Sequence, residues 1–252
     1  MLLRRVSDHL RRQAWTAIAI DFLITVLGVF IGLQVSNWNE ARLDRERARG
    51  YLDRIHADLG ADLNNYRNRL SFWAAVSSYG RSGLAYAETG AGGDDKWALL
   101  LAYFQASQVE EYFTTSTTYE ELRSAGQLNL IADLSLRNDL ASYYTNAANP
   151  TLSERPIYRV HVRSVIPLDV QSYIWRHCYS TDAIDEQQLR PCASPLSPAK
   201  AAQIVDAISS DRTLMGELRY WMSTLEVASL IGQQRIATAQ RISALVENDL
   251  QR

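Results

Sequence analysis

Trp15-Thr-Ala-Ile-Ala-Ile-Asp21-Phe-Leu-Ile-Thr25-Val-Leu-Gly28-Val-Phe-Ile-Gly32-Leu-Gln34-Val-Ser-Asn37-Trp38 is the stretch on which the fold turns. From Ala17 to Leu33 its only charged residue is Asp21, and no other part of the chain stays apolar for so long. A helix rises about 1.5 Å per residue, so Trp15 and Trp38 lie roughly 35 Å apart along it. That is slightly more than the ~30 Å hydrocarbon core of a bilayer. The stretch predicts a single transmembrane helix over residues 14–38. Trp15 and Trp38, with Asn37 and Asn39, fall at the membrane interface, where an apolar ring with a polar N–H is favoured.

Asp21 is the sharpest chemical feature of this helix, because a charge inside a membrane span is costly and usually meets a partner, another helix or water. At 100° per residue, Asp21, Thr25, Gly28 and Gly32 share a face, with Asn39 beyond them, while Leu23, Val26, Phe30 and Leu33 lie on the other side. Gly28 and Gly32 form a small-xxx-small pair that lets two helix backbones approach closely. Three readings stay open for Asp21. It snorkels to the headgroups, it belongs to a helix–helix packing face, or it couples to an ion or proton.

The bulk composition bounds the rest. The chain has 252 residues, 47% of them hydrophobic, and a net charge of −2. Removing the span leaves roughly 210 residues, enough for one large or two small domains with a core. Near-neutral charge argues against nucleic acid as a partner. Residues 1–13 form a short basic lead carrying Arg4, Arg5, Arg11 and Arg12. A cleaved signal peptide has the same basic start, but this apolar run is longer than a usual h-region and no A-x-A-like site follows it, so it reads as an uncleaved signal anchor. Arg42, Arg45, Arg47 and Arg49 on the far side equal the leading arginines in number. Long domains translocate largely regardless of charge, which places the N-terminus in the cytoplasm and residues 39–252 outside. With so few residues before the span, any signal would pass through a partner's membrane helix.

The body reads as all-α, an elongated antiparallel bundle. No proline interrupts residues 14–89, and Leu52, Ile55, Leu59, Leu63, Tyr66, Leu70 and Trp73 recur at spacings of three and four. The membrane helix is therefore expected to continue to about Tyr86, with Gly60 and Gly80 as weak points. Charges between Glu40 and Arg49 predict a solvated stalk with i,i+3 and i,i+4 pairs. Gly90-Ala-Gly-Gly-Asp-Asp95 is expected to be a loop and not a phosphate cradle, since it lacks a preceding strand and a G-K-[ST].

Helices are then expected over 96–107, from a Thr117–Glu120 capping box to Gly126, and from Asn129 or Asp133 to about Asn146, with Asn149-Pro150 as the stop. A further stretch over 152–176 should start with Pro156 in its first turn and be kinked or split by Pro167. Residues 177–197 read as loop, and no run alternates with period two, so little or no sheet is expected. Ser197-Pro198 starts a short helix and Asp211 caps the last one, whose stripe is Leu214, Leu218, Trp221, Leu225, Ala228, Ile231, Ala239, Ile242 and Leu245. Pairing this last helix antiparallel with the first buries both stripes.

Cys178 and Cys192 are the only cysteines. In an oxidising compartment a disulfide is the simplest reading, worth up to about 3 kcal/mol by loop entropy. A zinc site with His177 and His161 is the rival, although the spacing matches no common zinc pattern. The isolated His9 and His56 carry no motif, and no H-E-x-x-H, G-x-S-x-G or Walker signature is present. No catalytic residue, cofactor or metal is expected. The tyrosines and tryptophans at helical spacing read as core, with a pocket between bundle helices as the alternative.

Gly28-Val-Phe-Ile-Gly32-Leu-Gln34-Val-Ser-Asn37-Trp38-Asn39-Glu40 resembles a bacterial family of single-pass membrane proteins of unknown function, whose membrane helix ends in G-x-x-I-[AG]-L-Q-x-x-N-W-N-E. A second block, Tyr119-Glu-Glu-Leu122-Arg-Ser-Ala-Gly126-Gln-Leu128-Asn-Leu-Ile131 followed by Leu136-Arg137, is similar to that family too. The resemblance implies a membrane location and a mostly helical body, and brings no activity; the expected location is the bacterial inner membrane. The expected function is a sensor or accessory subunit whose periplasmic domain binds a partner protein or small ligand. The alternative is a membrane subunit of an ion-coupled or scaffold complex acting through Asp21. Expected partners are the lipid bilayer and either a second copy or another membrane protein.

Overall fold

The computed structural model describes residues 15–110, 114–146, 156–183 and 186–251. It is all-α in class and 81% helical. The described residues form α1 (Trp15–Thr89), α2 (Lys96–Gln105), α3 (Thr117–Ser124), a 3₁₀ turn (Leu128–Leu130), α4 (Leu134–Thr145), α5 (Ile157–Val165), α6 (Leu168–His177), the strands β1 (Tyr179–Ala183) and β2 (Glu186–Leu189), α7 (Pro198–Ser209) and α8 (Arg212–Leu250). The chain divides into two compact units, residues 1–52 and 53–252, and the boundary falls inside α1.

In the first unit, α1 carries the apolar stretch and then the stalk. Stalk charges pair along the helix as expected, Arg42 with Glu46 at 3.2 Å and Arg47 with Asp44 at 2.7 Å. Such exposed pairs contribute only a few tenths of a kcal/mol each.

In the second unit, α8 runs antiparallel to the remainder of α1. Ser243 meets His56 at 3.2 Å, and Arg219 meets Glu88 at 2.9 Å. Between these ends, a Cβ built on Gly232 would lie 3.1 Å from Leu70 and 3.3 Å from Trp73, so the two helices approach closely there. Neither Gly60 nor Gly80 breaks α1, because packing on α8 offsets the ~1 kcal/mol helical cost of glycine. The helix α2 packs on α5 and α7, while α4, α5 and α7 pack on α8. Their shared core holds Trp73, Trp97, Leu100, Phe104, Ile174 and Trp221.

Local chemistry sets most ends. Asp95, Asp133, Ser197 and Asp211 each accept backbone N–H bonds as N-caps. After α3, Gly126 at φ +67° donates to the Arg123 carbonyl, and Gln127 donates to Leu122, which is a Schellman closure. Pro167 divides the predicted 152–176 helix into α5 and α6, because it offers no N–H and clashes with the preceding turn.

Several expectations are corrected. Thr117 is the first helical residue of α3 and Ser116 precedes it, with no side-chain cap bond, so the capping box does not form. Pro156 stands at the N-cap of α5, outside the first turn. The stop at Asn149-Pro150 lies outside the described residues, and α4 already ends at Thr145. Residues 177–197 are not all loop, since β1 and β2 pair antiparallel with Tyr179 opposite Leu189 and Thr181 opposite Gln187. The hairpin has no alternating apolar pattern because, although the paired Tyr179 and Leu189 pack inward, most of the other strand residues are polar.

The buried seam of α1 also differs from the expected stripe. Ile55, Leu59, Asp62, Tyr66, Arg69, Trp73 and Val76 are buried, whereas Leu63 and Leu70 are only partly so. These positions alternate strictly by four and three, the 3.5-residue period of helices packed side by side. On α8 the stripe likewise shifts to Gly232 and Val246 in place of Ile231 and Leu245.

Candidate functional site

Among the described residues, none covers the apolar stretch of α1. Phe22, Leu23, Val29, Phe30 and Leu33 are each exposed by more than half, and Trp38 is 65% exposed. The helix from Ala19 onward is long and apolar enough to cross a membrane. Asp21, Thr25, Gly28 and Gly32 lie exposed along it, as do Asn37 and Asn39. Thr25 Oγ1 donates to the Asp21 carbonyl at 2.8 Å, the back-bond to residue i−4 that helical Thr commonly makes. Among the described residues, a Cβ at Gly28 or at Gly32 would meet nothing within 4 Å. Trp15 opens α1, and its side chain lies outside the described residues.

Cys178 and Cys192 form a disulfide with their Cα atoms 5.2 Å apart. Cys178 is fully buried just after α6, and three donors fix the bridge: Gln105 Nε2 and Arg190 N–H to the Cys178 carbonyl, and Trp97 Nε1 to the Cys192 carbonyl at 2.7 Å. The bridge thereby ties the β-hairpin and the following segment to α2. The nearby histidines are engaged elsewhere. His177 stacks on Tyr173 with centroids 4.1 Å apart, and His161 lies 2.8 Å from Glu217.

Buried polar groups lie along the α1 seam and on the segments packed against it. Asp62 is fully buried and accepts from Tyr143 Oη and the Thr115 N–H, both at 2.7 Å. Arg69 and Glu110 form an ion pair with side chains 8% and 4% exposed. The Glu110 carbonyl accepts from Trp73 Nε1 at 3.1 Å. Arg163 lies over Phe104 at 4.8 Å and Trp175 at 5.1 Å, and donates to Ser107 Oγ and Gln108 Oε1. Burial first, and the Arg159 charge second, pull its pKa down to about 9. Each of these charges has a specific partner, which is the condition for a charge to sit away from water.

Burial raises the pKa of Tyr103, Tyr144 and Tyr158 above the usual phenol range. Tyr103 donates to the Gly83 carbonyl and Tyr158 to the Tyr103 carbonyl, so these phenols act as protonated structural donors. Sequence reading missed Asp62, Arg69, Glu110 and Arg163. A usable signal existed for two of them, because the strict four–three spacing from Ile55 runs through Asp62 and Arg69. Choosing their apolar neighbours Leu63 and Leu70 moved the seam by one residue.

Above the Arg69–Glu110 pair is a cleft of about 420 Å³. One wall is the face of α1 bearing Asn68, Ser71, Phe72 and Ala75, and the other is residues 187–190 of β2 and its exit, with Glu110 between them. The volume lies within the range of small-ligand and peptide-anchoring sites. No protein-family model matches the chain, and no curated protein or solved structure matches it.

Proposed function

We propose that the chain is a single-pass bacterial inner-membrane protein with its N-terminus in the cytoplasm and its disulfide-containing helical body in the periplasm. The body acts as a sensor or accessory domain that binds a partner protein or small ligand. The observation that carries this reading is the helix segment from Ala19 to Trp38, predominantly apolar and covered by none of the described residues. In water, each fully exposed large apolar side chain forgoes roughly 1.5–3 kcal/mol of burial, and twelve such side chains from Ile20 to Trp38 are about half exposed or more, which favours a lipid environment. The disulfide supports an oxidising compartment. The G-x-x-I-[AG]-L-Q-x-x-N-W-N-E ending supports membership of the single-pass family it resembles. No catalytic role is assigned to any residue.

The test is topological. A C-terminal alkaline phosphatase fusion is expected to be active and a green fluorescent protein fusion dark; the reverse pair of results ends the periplasmic reading.

A second reading is favoured by the shared face of Asp21, Thr25, Gly28 and Gly32. On it, the helix packs against another membrane helix, from a second copy or an ion-coupled complex. Asp21→Asn retains shape and hydrogen bonding but carries no charge. It should spare assembly and abolish function under ion coupling, and be mild under packing. Gly28→Ile or Gly32→Ile should weaken association under either.

A further inference from the structure

We infer that the cleft between α1 and β2 binds an extended segment of a partner polypeptide by adding it as a third strand to the hairpin. This rests on the reading of the body as a partner-binding domain and names the site and the kind of partner. Four consecutive residues, 187–190, line one wall. Successive side chains of a strand point to opposite faces, so a wall made of consecutive residues is the edge of the strand and not one of its faces.

The register identifies which backbone groups that edge offers. The Arg190 N–H donates to the Cys178 carbonyl at 2.9 Å, which makes Cys178 and Arg190 a hydrogen-bonded pair. With Tyr179 opposite Leu189, Ser180 opposite Gln188 and Thr181 opposite Gln187, bonded and non-bonded pairs alternate. Gln188 therefore turns its N–H and C=O towards β1. Gln187 and Leu189 turn theirs away from it, into the cleft. Among the described residues no backbone group bonds them there. Two N–H donors and two C=O acceptors at strand spacing are what an extended backbone matches, and an uncovered edge of this kind is a template for strand addition.

The opposite wall supplies the other half of such a site. Ser71, Phe72 and Ala75 lie on one face of α1, small or apolar, where alternate side chains of an added strand would rest. The acid on the floor, Glu110, is neutralised by Arg69. Arg190, the other charged residue lining the cleft, donates to the Gln188 side chain at 2.8 Å, and the outward backbone groups of Gln187 and Leu189 give the cleft a polar demand that neutral peptide groups meet. Groups at 187 and 189 span three residues, so the occupant need pair over only about three to five residues.

The full chain, purified in detergent with its disulfide intact, is titrated with a fluorescently labelled library of end-blocked hexapeptides. Saturable binding is expected. It should weaken at least tenfold when alternate peptide amides are N-methylated, which removes the donors to β2. Gln187→Pro removes an outward N–H while leaving the ladder to β1, and should weaken binding similarly. Ser71→Trp fills the cleft from an exposed position and should do the same with an unchanged melting temperature. If Gln187→Pro lowers the melting temperature, Ser71→Trp and the N-methylated peptides decide. The proposal is overturned if no hexapeptide binds, if binding withstands both variants and N-methylation, or if the chain alone forms a dimer that Gln187→Pro disperses. Peptide binding in detergent does not depend on which side of a membrane the body occupies, so this outcome and that of the fusion experiment are independent.

Discussion

Two regions of α1 obey opposite rules. From Ile20 to Trp38 the large apolar side chains are exposed around the whole helix, Phe22 at 71% and Leu33 at 58%. From Ile55 to Val76 the exposure follows a seam, with Ile55 at 0% and Trp73 at 1%, and that seam contains an aspartate and an arginine. Hydrophobicity on all sides asks for an apolar solvent, whereas hydrophobicity on one stripe asks for another protein element. The first region needs only composition. The second needs geometry, and geometry lets two charges occupy buried positions because partners stand ready for them.

The largest expected effect breaks the first region. Leu27→Arg with Phe30→Arg places two charges in the proposed span, at roughly 2.5–3.5 kcal/mol each if lipid surrounds it. Carbonate-washed membranes should lose the protein. Retention equal to wild type would mean that lipid does not surround this segment. As the counterpart, Leu168→Arg, at a residue 77% exposed on α6, should change neither fractionation nor melting.

Next comes the charged part of the seam. Arg69→Met leaves Glu110 buried without its partner and should destabilise the body by about 3–5 kcal/mol in urea denaturation. Adding Glu110→Met should restore most of that loss. A double variant as unstable as the single one would show that the pair contributes more than charge compensation.

Glycine sharpens the comparison. Gly232→Val pushes a side chain into Leu70 and Trp73 and should cost about 1–3 kcal/mol. Gly28→Val meets nothing among the described residues and should leave the melting temperature of the body unchanged. Equal effects on melting would remove the distinction between the two regions.

The smallest effect is a pH dependence. Arg241 donates to both oxygens of Asp139, and these hydrogen bonds hold the carboxyl below the usual carboxylate range. A lowered folded-state pKa stabilises above the unfolded value of about 3.9 and is lost as pH falls through the folded one. Asp139→Asn should therefore cost less than about 1 kcal/mol at pH 7, since Arg241 is 55% exposed, and nothing once wild-type Asp139 is protonated. A deficit that persists at that low pH would assign the effect to packing.

By itself the sequence determined the features that need only neighbours along the chain. The apolar segment, the unbroken α1, the caps Ser197 and Asp211, the helix start at Asn129 or Asp133, the Schellman glycine Gly126 and the break at Pro167 each depend on a few adjacent residues and their intrinsic geometry. The cysteine pairing was legible because no other cysteine competes. The hairpin was not, since its pairing lacks the alternation that burial of one face imposes. Asp62, Arg69, Glu110 and Arg163 were not, because a charge is read as exposed until its partner is known. The partners lie far along the chain: Tyr143 and Thr115 for Asp62, Glu110 for Arg69, Phe104 and Trp175 for Arg163. Only the tertiary structure brings them within hydrogen-bonding or ring-contact distance, and only it turns the outward edge of β2 towards the face of α1.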